Sequence, residues 1–351
     1  MNDLALIRSR RGDYAEADSL YRPVLTVYLR HFGERHALTA ATMQNMASNY
    51  QFSGKLDEAE RYYRRSLAAK RAVLGEMHPS VTISLNNFGA FLANNGKLDE
   101  AETMVREALR LDRRMFGDRH SYVAESLRNL GTILRNKGDF GPADSAYQAA
   151  LSINRELFGE RHERIANLYG QISQLKYQLG SQAEATRLMR ESLAQFSALL
   201  GPDHLNSLIT QGNLARLLSE SGPRDAVEAD SLSRAALAKL DSSNAAQRPH
   251  YIAAYRTLGA SLLAERRPDE AIPVLARALD LTRRQFGEDN WRTALAQLSY
   301  GNALVAKQRY DDAAPVLHAA QATLDKHRAD QPRLVTHAAA AVASLGAHGT
   351  R

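Results

Sequence analysis

The apolar residues of this chain fall into paired stripes that recur at a fixed distance. Met43, Met46, Ala47 and Tyr50 return every one to three positions along one side of a helix, and Leu85, Phe88, Gly89 and Leu92 repeat that spacing 42 residues later. A second stripe follows each first one: Ala59, Tyr62, Tyr63 and Leu67, then Ala101, Met104, Val105 and Leu109. Both patterns fit a helix of 3.6 residues per turn with one buried face. Between the stripes stands glycine, at positions 12, 54, 96, 138, 180 and 222. A helix can end there in a left-handed residue without steric cost. The pattern predicts helix A, a tight turn and helix B.

Ala17, Ala59, Ala101, Ala143, Ala185, Ala229, Ala271 and Ala313 mark the same point of helix B in eight successive copies, spaced by 42 residues except for one step of 44. A helical pair of this size cannot bury both of its apolar faces alone, so neighbouring pairs must stack. The expected fold is an all-α solenoid of about eight helix-turn-helix repeats, spanning residues 1–35, 36–77, 78–119, 120–161, 162–203, 204–247, 248–289 and 290–331. A lone terminal helix is expected over 334–346. The unbroken period makes 1–351 a single domain, although length alone would suggest two or three.

These residues carry a resemblance. The phrase N-x-G/A-x-x-L-x-x-x-G-K-x-D-E-A-E, as in Asn87-Phe88-Gly89 through Glu102, resembles the tetratricopeptide repeat. So does the closing F/L-G-E/D-x-H, as in Phe116-Gly117-Asp118-Arg119-His120, and the length resembles the 42-residue subtype of kinesin light chains and many bacterial proteins. The resemblance covers essentially the whole chain. It implies a right-handed superhelix with helix A on the concave side, a surface that holds peptides or partner proteins, and no catalysis.

Composition adds little and contradicts nothing. The chain has 351 residues, 24% of them charged, and a formal net charge of +6. Its basic residues alternate with acids along helix B, as in Arg61, Arg64 and Arg65 beside Glu58 and Glu60, which reads as a solvated face. Cysteine is absent, excluding disulfides and thiolate metal sites. No apolar run of the ~18 residues that mark a membrane span occurs, and the N-terminus lacks a signal peptide's apolar segment. The expected location is cytoplasmic, with no membrane partner.

Several places break the period. Counting back 42 from Asn45 reaches Asp3, so the array starts within a helix A and further sequence upstream is expected. Pro23 lies well inside the first helix B, at about 14–31, and should kink it. Two residues are inserted near Ser221-Gly222-Pro223-Arg224-Asp225, expected in the A-to-B turn. The stretch Leu240-Asp241-Ser242-Ser243-Asn244 lacks an apolar anchor and reads as a looser loop and the place for a hinge. Helix 334–346 is rich in Ala and hardly polar on any face, a poor cap for an array.

Candidate chemistry is sparse. His36, His78, His120, His162 and His204 recur once per repeat, too far apart to converge on one metal ion. They read as loop residues bonding a helix start. Asp57-Glu58 and their equivalents occupy the first turn of helix B, where they meet the positive end of the helix dipole. No nucleophile and base constellation or phosphate loop is recognisable, so neither a catalytic residue nor a cofactor is expected.

The informative polar residues lie on helix A. Asn45, Asn87, Asn129, Gln171 and Asn213 stand two before its small residue, and could form a ladder of amides. The kinesin light chain resemblance implies that the asparagines among them hold a peptide backbone; Gln171, Thr257 and Ser299 depart from that pattern. The alternative is that the amides bridge adjacent helices. Helical spacing places Arg128, Arg135, Asn136, Arg216 and Arg256 toward the same side. Such a groove suits a peptide with acidic side chains or a carboxylate terminus. Phe52, Phe91 and Tyr177 could add apolar pockets, and Trp291 reads as packed between repeats.

Three function classes follow: a scaffold binding a peptide or protein in the groove, the sensory or docking part of a larger bacterial signalling protein, and nucleic-acid binding. The pI near 9.5 suggests the last. The mixed charge pattern argues against it, since it requires a continuous basic stripe with stacking aromatics.

Overall fold

A computed structural model describes residues 1–241, 244, 247–326 and 332–346, and these contain seventeen α-helices and no strand. They fall into two compact units, one built on Met1–Leu199, the other on Leu200–Ser243 and Gln247–Arg351. The first unit stacks five hairpins. These are α1 (Asn2–Arg11) with α2 (Tyr14–Phe32), α3 (Ala37–Phe52) with α4 (Leu56–Leu74), and α5 (Pro79–Asn94) with α6 (Leu98–Phe116). Next come α7 (Ser121–Lys137) with α8 (Phe140–Phe158), and α9 (Glu163–Gln178) with α10 (Gln182–Leu200). The second unit holds α11 (Leu205–Ser219) with α12 (Pro223–Lys239), α13 (Arg248–Ala264) with α14 (Pro268–Phe286), and α15 (Trp291–Ala306) with α16 (Tyr310–Lys326). The terminal α17 (Pro332–Gly346) follows.

Within a hairpin the two helices meet at the small residue of helix A. A Cβ built on Gly131 would lie 2.7 Å from two ring carbons of Tyr147, and one on Gly259 would lie 2.4 Å from Cγ of Leu275. Ala47 and Ala215 fill the same position in other hairpins and are fully buried. At Ser173 the hydroxyl instead donates to the Ala185 carbonyl at 2.6 Å, so contact is kept by a hydrogen bond. The A-to-B turn also has a conformational demand. In the last two hairpins its glycine is replaced by Arg266 and Gln308, which keep left-handed φ values of 61° and 63°. Non-glycine residues reach that region only at a cost.

In the first unit, one continuous cluster of buried residues runs from Ala5 to Leu188, with Tyr21, Phe88, Phe91 and Tyr147 as its bulkiest members. The buried apolar residues of the second unit include separate clusters, around Leu208 and Leu240, around Leu258 and Leu275, and around Leu304 and Leu324. Helix α17 lays Val335 and Ala338 onto the last of these.

One irregularity read from the sequence lies elsewhere in the structure. The two extra residues do not lengthen the turn of the sixth repeat: α12 begins at Pro223, directly after Gly222, so they join the helix. Ala226 and Ala229 are both fully buried as a result. Helix α2 runs without interruption through Pro23, which is exposed. The donor that proline lacks is therefore missing on the solvent side, where water can serve the freed carbonyl. The expected loose loop and hinge include Ser242 and Ser243, which lie outside the described residues, as do 327–331 of the eighth repeat.

Candidate functional site

The closing loops account for most of the recurring polar residues. In five of them a glycine at the end of helix B takes positive φ with ψ near 180°, at Gly33, Gly75, Gly117, Gly159 and Gly287, a region open essentially to glycine alone. In four loops the acid after it folds back on an arginine of the last helical turn, Arg71–Glu76 at 3.2 Å, Arg113–Asp118 at 3.0 Å, Arg155–Glu160 at 3.0 Å and Arg283–Glu288 at 2.9 Å, while Glu34 pairs with Arg65 of the next hairpin. Finally Nδ1 of His36, His78, His120, His162 and His204 accepts the backbone N–H two residues on, capping the next helix A at 3.1–3.3 Å. Phe32, Phe116 and Phe158 stack on the histidines behind them. Asn290 caps α15 in the same way, an equivalence that the residue type concealed. The motif is a structural clasp, and among the described residues no three His, Asp or Glu could hold a metal ion.

Acids near the start of helix B likewise hold repeats together. Lys137 reaches Asp99 and Glu102 at 2.7 Å, and Lys307 reaches Asp269 at 2.7 Å in the equivalent place of another hairpin. Lys97 pairs with Glu60 at 2.7 Å.

The predicted amide ladder is offset. Asn129, buried, donates to Oδ1 of Asn86 at 3.0 Å and not to Asn87, which is exposed. Asn86 in turn donates to Ser126 Oγ at 2.7 Å, and Ser126 donates to Asp112 at 2.8 Å. The two asparagines stand 43 positions apart, one more than the repeat. Asn45 and Asn213 are partly buried.

Around this network lies a cluster of guanidinium and amide groups on α7 and α9. Arg128 donates to Asn129 Oδ1 at 2.7 Å and pairs with Glu125. Burial raises the Glu125 carboxyl, but the Arg128 hydrogen bond, with Arg128 and Arg164 charges, outweighs it and holds the group below its usual range. Arg135 donates to Gln171 at 3.2 Å, Gln174 at 2.6 Å and Asn136 at 3.3 Å, while its Nε is buried without a partner. Asn136 is exposed. The structure thus joins Arg128 with Asn129 and Arg135 with Gln171 and Asn136, and leaves Asn87 outside the network.

Sequence reasoning missed the buried polar groups behind that surface. Lys70 of α4 donates to Ser84 Oγ at 2.6 Å and Gln44 Oε1 at 3.4 Å, with burial pushing its ammonium down to about 8. One repeat later the same position carries Asp112, whose carboxyl burial raises despite the hydrogen bond from Ser126. Its signal is a polar residue in the phase of an apolar stripe. The expected aromatic pockets do not form as a set: Phe91 is 1% exposed within the core beside Tyr63 and Phe88, and Phe52 is 62% exposed. Trp291 packs against the cluster of the last hairpin and carries the Arg292 guanidinium over its ring at 4.5 Å.

In the second unit, Asn213 and Arg216 of α11 face His250, Ala253 and Thr257 of α13 across a recess of about 60 Å³ floored by Leu208, Leu240 and Ala254. The chain builds it by leaving α12 through Leu240 in extended conformation, with no glycine exit. Arg216 meets Glu220 at 3.5 Å. Burial pushes the His250 imidazole below its usual value.

Comparison with known proteins places this architecture. Over 177 residues the chain is 26% identical to a clustered mitochondria protein homolog of Meyerozyma guilliermondii, an alignment covering 50% of this chain and 14% of that protein. The chain therefore spans a small part of that relative's length. Its fold is similar to the apo form of the quorum sensor NprR from B. thuringiensis, with TM-score 0.66 and 13% identity over 92% of this chain and 87% of that one. It is also similar to a Rap protein complexed with Competence and Sporulation Factor, with TM-score 0.59 and 12% identity over 99% of this chain and 96% of that one. At such identities the likeness concerns the fold alone. Residues 1–72, 80–156, 164–238 and 250–324 match the tetratricopeptide repeat model, each stretch spanning roughly two of the hairpins described above. By that match the chain belongs to the tetratricopeptide repeat family.

Proposed function

We propose that the chain is a non-catalytic interaction scaffold that binds an acidic peptide segment of a partner protein along the face of its A helices. The observation that supports this reading most is the α7–α9 cluster. There Arg135 keeps a buried Nε without a partner, beside the exposed amide of Asn136. Guanidinium forks and side-chain amides recognise carboxylates and peptide backbone, and the family is one whose repeats serve protein interaction. A nucleic-acid backbone is the weaker candidate. Arg64, Lys97, Lys137 and Lys307 are engaged with Glu60, Glu100, Glu102, Asp99 and Asp269, which breaks up any basic stripe.

Selection from a random peptide display library tests the reading. Enriched sequences are expected to carry Asp or Glu. Arg135→Ala with Asn136→Ala should weaken their binding about tenfold, the loss of one charge-assisted contact, with helical content unchanged. Enrichment of peptides without acids, or equal binding by the double variant, would refute it.

A further inference from the structure

The first unit has an apolar groove formed by two of its B helices. It lies between α4 and α6, measures about 550 Å³, and is floored by Leu67, Ala68, Ala72, Phe88 and Met104. The opening has a cause in the sequence. Ala68 and Ala72 are exposed methyl groups, whereas one repeat later the same two positions carry Arg110 and Arg114. Arginine stems cover apolar surface, and α4 has none at those places.

Ion pairs between the two helices bound the groove at each end. Arg64 reaches Glu100 at 2.8 Å with its guanidinium 5.1 Å from the centre of the Phe88 ring, and Arg71 reaches Glu107 at 2.7 Å. Arg64 and Arg71 lie two helical turns apart, as do Glu100 and Glu107, so the bridges enclose roughly 10 Å of groove. The ends differ in charge. At the first, Arg64 and Lys97 serve Glu60 and Glu100, two cations for two carboxylates. At the second, Arg71 serves both Glu107 and the exposed Glu76, so two carboxylates share one cation. The surplus negative charge there favours an occupant that brings a cation.

Shape selects the occupant further. Small-molecule sites enclose most of their ligand, and this groove is open along the exposed Ala68 and Ala72. An extended peptide needs a strand edge or polar groups for its backbone, and this floor is apolar side chain throughout. A helix presents apolar side chains at i and i+3 or i+4, about 5–6 Å apart, so two of them fit between the bridges.

We infer that the α4–α6 groove docks an amphipathic helix of a partner protein, which lays two apolar side chains one turn apart between the bridges and sets a lysine or arginine against Glu76 and Glu107. This surface belongs to the B helices and is distinct from the A-helix face, so the chain can hold two partners at once.

Selection from a displayed library of single helices with one randomised face, run against the full chain, tests the proposal. Counter-selection uses Ala68→Arg with Ala72→Arg, which fills the groove with the residues α6 carries at the same positions. Enriched helices are expected to show the apolar pair with a Lys or Arg one or two turns away. A synthetic copy of the most enriched helix should shift the Met104 methyl resonance in 1H–13C spectra of methionine-labelled protein, assigned by its loss in Met104→Leu. The double arginine variant should bind that helix about tenfold or more weakly, with an unchanged melting point. Ala68→Gln with Ala72→Gln serves if it fails to fold. Glu76→Gln with Glu107→Gln should weaken binding about two- to fivefold, the worth of an exposed ion pair.

Helices enriched without a basic residue, or bound equally by both groove variants, would overturn the proposal. So would a selection that returns no helix lost with the arginine variant. A Met104 shift produced by concentrating the chain alone would make a second copy the occupant and overturn it too. None of these results bears on acidic peptides at the A-helix face.

Discussion

Gly131→Ala and Gly170→Ala make the same chemical change in two A helices of the first unit, and the structure predicts opposite outcomes. In a helix interior, alanine gains about 1 kcal/mol over glycine from propensity alone. At Gly170 the new methyl would meet only Ser192 Oγ, at 3.5 Å, an ordinary contact, so the gain should survive. At Gly131 it would lie 2.7 Å from Cδ1 and Cε1 of Tyr147. That ring is fully buried and its hydroxyl donates to Thr132 Oγ1 at 3.1 Å, so it cannot swing aside without breaking the bond. Overpacking of this kind costs about 1–3 kcal/mol, and with a rigid aromatic the upper half of that range applies. Subtracting the propensity gain leaves Gly131→Ala about 1–2 kcal/mol less stable. Thermal melting followed by far-ultraviolet circular dichroism should place Gly170→Ala about 2–4 °C above the parent. Gly131→Ala should fall about 2–8 °C below it. If Gly131→Ala melts at or above the parent, the two helices do not approach as closely as argued.

Other outcomes follow from the same structure. Leu109→Ala should cost about 2–5 kcal/mol by opening a cavity in the first unit's core, read as a lower denaturation midpoint. Gln308→Gly, at an exposed left-handed position, should stabilise by about 0.5–1 kcal/mol, checked in the same titration. Lys70 should make stability rise with pH. Its folded value of about 8 lies below the usual 10.5, so between those values the unfolded chain binds the extra proton and folding is favoured as pH increases. The drop corresponds to about 3 kcal/mol, offset by about 1 kcal/mol for the hydrogen bonds to Ser84 and Gln44. Lys70→Met should therefore melt above the parent at pH 7 and lose that advantage near pH 10, and an advantage independent of pH would refute the account. Asn129→Ala should destabilise by about 1–3 kcal/mol by stranding Asn86, whereas Asn87→Ala should leave the melting point unchanged.

The helices were legible because each depends on local chemistry repeated eight times. The stripe Met43, Met46, Ala47 and Tyr50 and the glycine at 54 specify a helix and its end without reference to anything distant. The clasp histidines were legible for the same reason, since a cap acts over two residues. The offset of the amide ladder was not: whether Asn129 meets Asn86 or Asn87 depends on how neighbouring A helices are set against one another, which the packing of whole hairpins decides. Exposed Phe52 and buried Phe91 look alike in sequence for a similar reason. The recess between α11 and α13 lies furthest from sequence reasoning, because it depends on how α12 leaves the hairpin at Leu240. A repeating sequence thus determines its brick by short-range propensity and burial, while the chemistry of the surface between bricks is decided only when they are stacked.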